Sequence, residues 1–227
     1  MCCAFGGSLT DKGPVLKPIH FDKPVMLIGP VPVDHLPPAQ GAAIVAVDGG
    51  ADQCLRHGLQ PDLVIGDLDS LGDAARAAFQ DRLVQVNEQI TTDFEKALIH
   101  VGAPLRLAVG FWGGRADHAL AVLGALAGHP DRRTIVIGTD DIIFHCPPAF
   151  HMELPAGTRV SLFPLVAMEC DSTGLEWATH GLHLDPLART GVSNSAKGGP
   201  IFIAPARTGL LVILPRASLP AAVAALG

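Results

Sequence analysis

The amino-acid sequence predicts an α/β protein in which an N-terminal wound α/β domain is followed by a smaller C-terminal antiparallel β-sandwich. Three observations carry that prediction. Short aliphatic runs alternate with helical segments from Val25 to Cys146, the pattern of a parallel sheet connected by crossover helices. The texture then changes at Cys146-Pro147-Pro148, beyond which RVSLFPL, GPIFIAPA and GLLVILP are separated by glycine and proline at the spacing of antiparallel strands. Polar, chemistry-bearing residues gather in turns that follow strands, the edge at which open α/β sheets bind ligands. The expected divisions are a loose leader over residues 1–22, an α/β nucleotide- and metal-binding domain over 23–146, and a sandwich with a short terminal helix over 147–227.

Composition limits the function classes. Hydrophobic residues make up 48 % of the 227 and charged residues 17 %, which excludes a disordered chain and leaves enough apolar surface for a real core. A formal net charge of −6 with no basic block argues against nucleic acid as a partner. Cys2, Cys3, Cys54, Cys146 and Cys170 are odd in number and form no C-x-x-C pair, so a reduced, cytoplasmic setting is expected rather than a disulfide framework or zinc site. No run of about 18 apolar residues suggests a membrane span, and MCCAFGGSLTDKGPVLKPIHFDKP lacks the basic flank and apolar core of a targeting signal.

Val25 to Ile28 is the first expected strand, and GPVPVDHLPPA after it is too rich in proline to begin a long helix. Ile44 to Val47 is the second. It enters Asp48-Gly49-Gly50-Ala51, where glycine allows close backbone approach to a phosphate or sugar before a helix over Asp52 to His57. The next buried run ends in VIGDLDS, with Asp67 and Asp69 one residue apart and Ser70 following. Two hard oxygen donors in one turn suit magnesium carrying substrate phosphates, although Asp and Ser also cap helices for local reasons.

A helix near Gly72 to Phe79 and a strand over Leu83 to Val86 continue the alternation. NEQITTDFEKAL then starts a helix with Thr91 and Thr92, placing Asp93 and Lys96 on one face at i and i+3. Leu105 to Val109 is a further strand, leading to GFWGGRADHALAVLGAL. Arg115 and Asp117 flank the start of a helix so apolar that it is expected to be buried. Arg115 can fork onto a phosphate or a carboxylate; His118 beside it is read as structural. Thr134 to Gly138 and Ile142 to Cys146 complete the first half, and ASLPAAVAALG closes the chain as a short helix.

The order of these turns, DGGAD, PDLVIGDLDS, EQITTDFEKAL and GGRADHALA, with GLEW and VSNS in the β-rich half, resembles the thiamine pyrophosphokinase family from about Val25 to Pro215. The resemblance implies a homodimer with shared active sites, magnesium, and transfer of pyrophosphate from ATP to thiamine with AMP as the other product. It implies Asp67, Asp69 and Asp93 as metal ligands and Asp48, Gln89, Thr92, Lys96, Arg115 and Asp117 as other active-site positions, with Lys96, Arg115 and Asp117 expected to be catalytic and Asp48, Gln89 and Thr92, together with Gly49, Gly50 and Ser70 of the turns, expected to bind ligand. Ser193 and Asn194 match the pair associated with thiamine. Two departures stand out: Ile90 follows Gln89 where the family commonly has Asp, and Ser195-Ala196 follows Asn194 where some relatives have tryptophan. Two other readings are a metal-dependent nucleotide-sugar transferase using Asp67 and Asp69, and a non-catalytic nucleotide- or vitamin-binding protein on the same scaffold.

Overall fold

The structure is a computed structural model that describes residues 17–38, 41–88 and 90–227. Most of the expected leader and Gln89 therefore lie outside the described residues. The first half runs β1 (Ile19–His20), β2 (Val25–Ile28), β3 (Ala43–Val47), α1 (Gly50–Arg56), β4 (Leu63–Gly66), α2 (Asp73–Ala78), β5 (Leu83–Gln85), α3 (Asp93–His100), β6 (Val101–Gly102), β7 (Arg106–Val109), α4 (Ala116–Gly128) and β8 (Thr134–Ile137). The second half is almost all strand: β9 (Asp141–His145), β10 (Phe150–Leu154), β11 (Arg159–Pro164), β12 (Met168–Thr173), β13 (His183–Leu184), β14 (Gly191–Ser195), β15 (Gly199–Pro205) and β16 (Leu210–Pro215), followed by α5 (Leu219–Leu226).

The fold is mixed α/β, built on one large sheet with a separate antiparallel sheet beside it. The large sheet has ten strands in the order β14-β11-β16-β9-β8-β7-β2-β3-β4-β5. From β8 to β5 every pairing is parallel, with Val25 opposite Ala43 and Val45 opposite Leu63. From β8 through β9, β16 and β11 to β14 every pairing is antiparallel. The second sheet, β10-β15-β12-β13, is antiparallel throughout. Residues beyond 146 thus enter both sheets, and the large sheet continues across the expected division.

Strand alternation sorts side chains onto two faces. Val25, Leu27, Val45 and Val47 meet α3 and α4, while Met26, Ile28 and Ala46 meet α1 and α2. A third cluster joins Ile135, Phe144 and Leu162 of the large sheet to Phe150, Ile201 and Ile203 of the small one. Apolar runs such as VMLI are buried end to end because both faces are covered. One expectation is corrected: α4 is not a buried helix. Only Val122, Ala125 and Leu126 are fully enclosed, and Leu120 is 68 % exposed. Its apolar composition comes largely from alanine and glycine, which favour or permit helix without requiring much burial.

Chain order also fixes where a ligand crevice forms. From β2 the chain adds β3, β4 and β5 on one side, then returns to add β7 and β8 on the other. The reversal lies between β2 and β7, and ligands of open α/β sheets sit outside the carboxyl ends at such a point.

Candidate active site

Three turns at that edge converge. Asp48 follows β3, Asp67 follows β4, and Asp93 opens α3 after β5. One carboxylate oxygen from each lies within 4.8 Å of the other two, the spread of a shared cation site. Lys96, 2 % exposed, closes the cluster from below. Its Nζ donates to Asp67 Oδ2 at 2.8 Å and to Asp93 Oδ1 at 3.0 Å, so the i, i+3 spacing of Asp93 and Lys96 is used as expected. Asp69, expected as a ligand, is not in this group; it lies on the exposed part of the turn, where its amide donates to Asp67 Oδ1 at 3.3 Å. Asp48, expected beside the nucleotide, is the third member instead.

The backbone is strained where the site needs it. Among the described residues, non-glycine positions with positive φ are Asp48 (φ 46), Leu68 (φ 65) and Ser193 (φ 60), the first two in turns and the third on β14, each in a motif already singled out. A left-handed conformation costs an ordinary residue about 1–2 kcal/mol, and such outliers collect at functional sites. Leu68 is held by its own burial and by Arg76 of α2, whose guanidinium donates to the Leu68 carbonyl at 2.7 Å. Gln85 of β5 donates to the Asp67 carbonyl at 3.1 Å. Gly50 has a different reason: a Cβ there would stand 1.8 Å from the Ile28 carbonyl oxygen, so only glycine lets α1 begin against the end of β2.

Charge is unevenly compensated. Lys96 holds Asp67 below the usual carboxylate range through its hydrogen bond, despite partial burial. Burial works against the Lys96 ammonium, yet Asp67 and Asp93 together raise its pKa above the ordinary lysine value. Asp48 is pushed up, first by burial and then by the negative charges of Asp93 and Asp67, against the Gly49 amide and the Ser70 hydroxyl. It is 3 % exposed, and its Oδ1 has no hydrogen-bond partner. A buried carboxylate with an unpartnered oxygen, set beside two further carboxylates, is a donor set that a hard divalent cation would complete.

The remaining positions frame this cluster. Thr92 caps α3, its Oγ1 accepting from the Glu95 amide at 3.3 Å. Glu88, not singled out from sequence, organises the approach: its Oε2 accepts from the Ile90 amide at 2.9 Å and the Thr91 amide at 3.2 Å, and Oε1 accepts from the Thr91 hydroxyl. Burial opposes its charge, but these bonds leave its pKa below the usual value. Ile90 is 86 % exposed. Arg115 and Asp117 form an exposed fork at the start of α4, at 3.1 and 2.6 Å, which lowers the Asp117 pKa to about 2.

Ser193 and Asn194 do not join the carboxylates. They lie on β14, seven strand intervals from β3 in the same sheet, a separation of roughly 30 Å at ordinary strand spacing. Buried Asn194 is fully engaged: its Nδ2 donates to the Trp177 carbonyl at 2.6 Å, and its Oδ1 accepts from the amides of Trp177 at 3.2 Å and Ser195 at 2.8 Å. The segment so held presents Trp177 with 64 % of its surface exposed. An aromatic missing after Asn194 in sequence thus has a neighbour in space, within the GLEW motif. Arg76, Gln85 and Glu88 act through backbone geometry and left no spacing signal to find.

Fold and geometry together define an α/β protein with an acidic cluster, able to hold a cation, at the carboxyl edge of a parallel sheet. Residues 39–137 match the family model described as thiamin pyrophosphokinase, catalytic domain. Over that stretch the chain is similar to the catalytic domain of thiamin pyrophosphokinases. It is 26 % identical over 168 residues to thiamine pyrophosphokinase 3 of Oryza sativa subsp. japonica, covering 59 % of this chain and 63 % of the rice protein. It is 26 % identical over 144 residues to thiamine pyrophosphokinase 1 of Arabidopsis thaliana, covering 54 % of each. The matches thus span less than two thirds of these relatives. Among solved structures, the thiamin pyrophosphokinase of Geobacillus thermodenitrificans aligns with a TM-score of 0.72 at 24 % identity, covering 85 % of this chain and 96 % of that one. The Candida albicans enzyme aligns at 0.73 and 16 % identity, covering 92 % and 96 %. These structural likenesses establish a shared fold.

Proposed function

We propose that this protein is an ATP:thiamine diphosphotransferase, moving pyrophosphate from ATP to the hydroxyl of thiamine to give thiamine diphosphate and AMP. The observation that carries the reading is the convergence of Asp48, Asp67 and Asp93 over buried Lys96, within the residues matched to the family. The family match favours this reading over the nucleotide-sugar transferase alternative. Asp48, Asp67 and Asp93 would hold magnesium, and the unpartnered Oδ1 of Asp48 supports that assignment. Asp69, on the exposed part of the same turn, would add negative charge beside a bound cation. When bound, the cation neutralises phosphate oxygens and eases attack at the β-phosphorus.

The chain's own residues supply alignment and charge. Lys96 fixes Asp67 and Asp93 in place before substrate arrives, and preorganised groups cost nothing to arrange at the moment of reaction. The exposed Arg115–Asp117 pair exchanges partners at little cost, so Arg115 can turn to phosphate oxygens. The thiamine hydroxyl oxygen bonds to the β-phosphorus as the bond from that phosphorus to the bridging oxygen of the α-phosphate breaks. AMP leaves with that oxygen, and the hydroxyl proton passes to a carboxylate, with Asp48 and Asp117 the candidates.

Thiamine would be received by Trp177 and Ser193, with Asn194 positioning the Trp177 segment. Seven strand intervals between β14 and β3 exceed the reach of one small vitamin, which supports a homodimer in which each site combines the carboxylates of one chain with Trp177 and Ser193 of the other. A cytoplasmic location is consistent with the buried free thiols of Cys54, Cys146 and Cys170, and no described helix is long and apolar enough to cross a membrane. Incubation with magnesium, ATP and thiamine tests the reading. Thiamine diphosphate and AMP in equal amounts are expected; binding of both substrates without turnover would leave only the non-catalytic alternative.

A further inference from the structure

The edge of the large sheet away from the carboxylates carries a cavity of its own. β9 runs antiparallel to β8, so the end of β9 and the start of β8 share the amino edge of the parallel strands, opposite the carboxyl edge where Asp48, Asp67 and Asp93 meet. There the loop before β8, the end of β9 with the turn that follows, and the turn joining β15 to β16 enclose about 580 Å³. That volume falls within the roughly 300–1,000 Å³ of small-molecule sites. None of the described candidate-site residues lines it. Its walls are preset: Pro130, Pro147, Pro148 and Pro205 have φ locked by their rings. The Cys146 amide donates to the Leu210 carbonyl at 2.8 Å, the Ala206 amide to the Glu169 carbonyl at 2.9 Å, and Arg133 to the Leu226 carbonyl at 3.0 Å. The prolines have no N–H to offer a ligand, so they present apolar ring surface and leave polar recognition to side chains.

Those side chains favour an anion. Arg133 and Arg207 line the cavity against one carboxylate, Asp131, which Arg132 Nε already meets at 3.3 Å. Arg207 is exposed and forms no ion pair among the described residues. His145 adds a donor. Its Nε2 accepts from the Gly209 amide at 3.1 Å and from the Thr208 hydroxyl at 3.0 Å. A backbone N–H can only donate, so the proton of the neutral ring sits on Nδ1. Burial lowers the pKa of this imidazole and keeps it neutral at pH 7. A cationic recess on a chain of formal net charge −6 is a local reversal of sign, and such a reversal concentrates anions.

We propose that this cavity binds a small organic anion, a phosphate or carboxylate borne on an apolar ring, with the acid group held by Arg133 and Arg207 and the ring against Pro147 and Pro205. The site is separate from the carboxylate cluster and from Trp177 and Ser193, and it does not rest on the pyrophosphoryl-transfer reading.

The test titrates the full chain with anilinonaphthalene sulfonate, an anionic ring system whose fluorescence rises on binding, beside phenylnaphthylamine, the same rings without the acid. Wild type is compared with Ala206→Trp, which fills the cavity, Arg207→Glu, which reverses its charge, and Trp177→Ala, which removes an exposed aromatic elsewhere. Ala206 and Arg207 are both exposed, so these variants keep the fold. Each is expected to weaken the sulfonate about tenfold or more, and Trp177→Ala to leave it within about twofold. The uncharged dye should bind wild type weakly and be indifferent to Arg207→Glu. Phenyl phosphate or benzoate should displace the sulfonate and phenol should not, and the acid that displaces it at the lower concentration identifies the head group. Unsaturable binding, an affinity unchanged in either cavity variant, loss in Trp177→Ala instead, equal loss of both dyes in Arg207→Glu, or displacement by phenol would each overturn the assignment. Where Ala206→Trp fails to fold, Arg207→Glu against the two dyes decides. Thiamine diphosphate formation should persist in both cavity variants; its loss together with dye binding would put the cavity on the substrate path and overturn the proposal. Dye titration needs no turnover, so failure of the transferase reading and failure of this one are separately visible.

Discussion

Asp48 combines features that all work against the folded chain: a left-handed backbone, burial, an unpartnered oxygen and two neighbouring carboxylates. Its raised pKa means that the charged form costs stability at neutral pH, and that the cost is relieved as pH falls through the folded value toward the ordinary one. Asp48→Asn is therefore expected to raise stability by about 1 kcal/mol, a Tm increase of roughly 2–4 °C at this chain length, while losing most turnover. Thermal melts at pH 7 and at acid pH check this, and the advantage should shrink on acidification. Lys96→Met has the opposite sign, since it leaves Asp67 and Asp93 facing each other without a cation. Because both carboxylates keep some solvent contact, roughly 2–3 kcal/mol is expected by denaturant titration, less than for a fully enclosed pair. Ile90→Asp should change stability by no more than about 0.5 kcal/mol, as the side chain is exposed; a large loss would show that it packs somewhere.

The turns between strands and helices were the most legible part of the sequence, because each places a polar residue at the end of an apolar run. DGGAD, GDLDS and TTDFEKAL all fall at strand-to-helix junctions of one sheet edge. Which aspartates share a point was not legible. That choice depends on the φ of Asp48 and Leu68 and on Arg76 and Gln85 gripping the backbone between them, and residue spacing carries no record of such torsions. The exposed face of α4 was missed for a related reason: hydrophobic content counts alanines that need no burial. Glu88 gives a prediction for its turn. Its depressed pKa contributes stability above the ordinary value that is lost as pH falls through the folded one. Glu88→Gln should thus cost about 1 kcal/mol at pH 7 and flatten the decline of stability below about pH 5, measured as Tm against pH.

The molecule as a whole is organised by a sheet that changes character at β8, parallel on the side of the carboxylate cluster and antiparallel beyond. Alternating patterns announced both halves, but their joining through β9 and β16 depends on long-range pairing that local sequence does not encode. That continuity sets Trp177 and Ser193 far from the carboxylates of their own chain and gives the dimer reading its physical basis. Mixing Asp67→Asn protein with Trp177→Ala protein, each inactive alone, should restore activity once subunits exchange, because each heterodimer holds one site free of both lesions. No recovery after confirmed exchange would place both halves of the site in one chain. The central claim is that a pyrophosphoryl group, not a single phosphoryl group, crosses from nucleotide to vitamin at the carboxylate cluster. It is tested most directly by incubating the protein with magnesium, thiamine and ATP labelled at either the α- or the γ-phosphate. The account predicts that γ-label enters thiamine diphosphate and α-label enters AMP; γ-label in thiamine monophosphate with ADP as co-product, or no labelled thiamine ester at all, would contradict it.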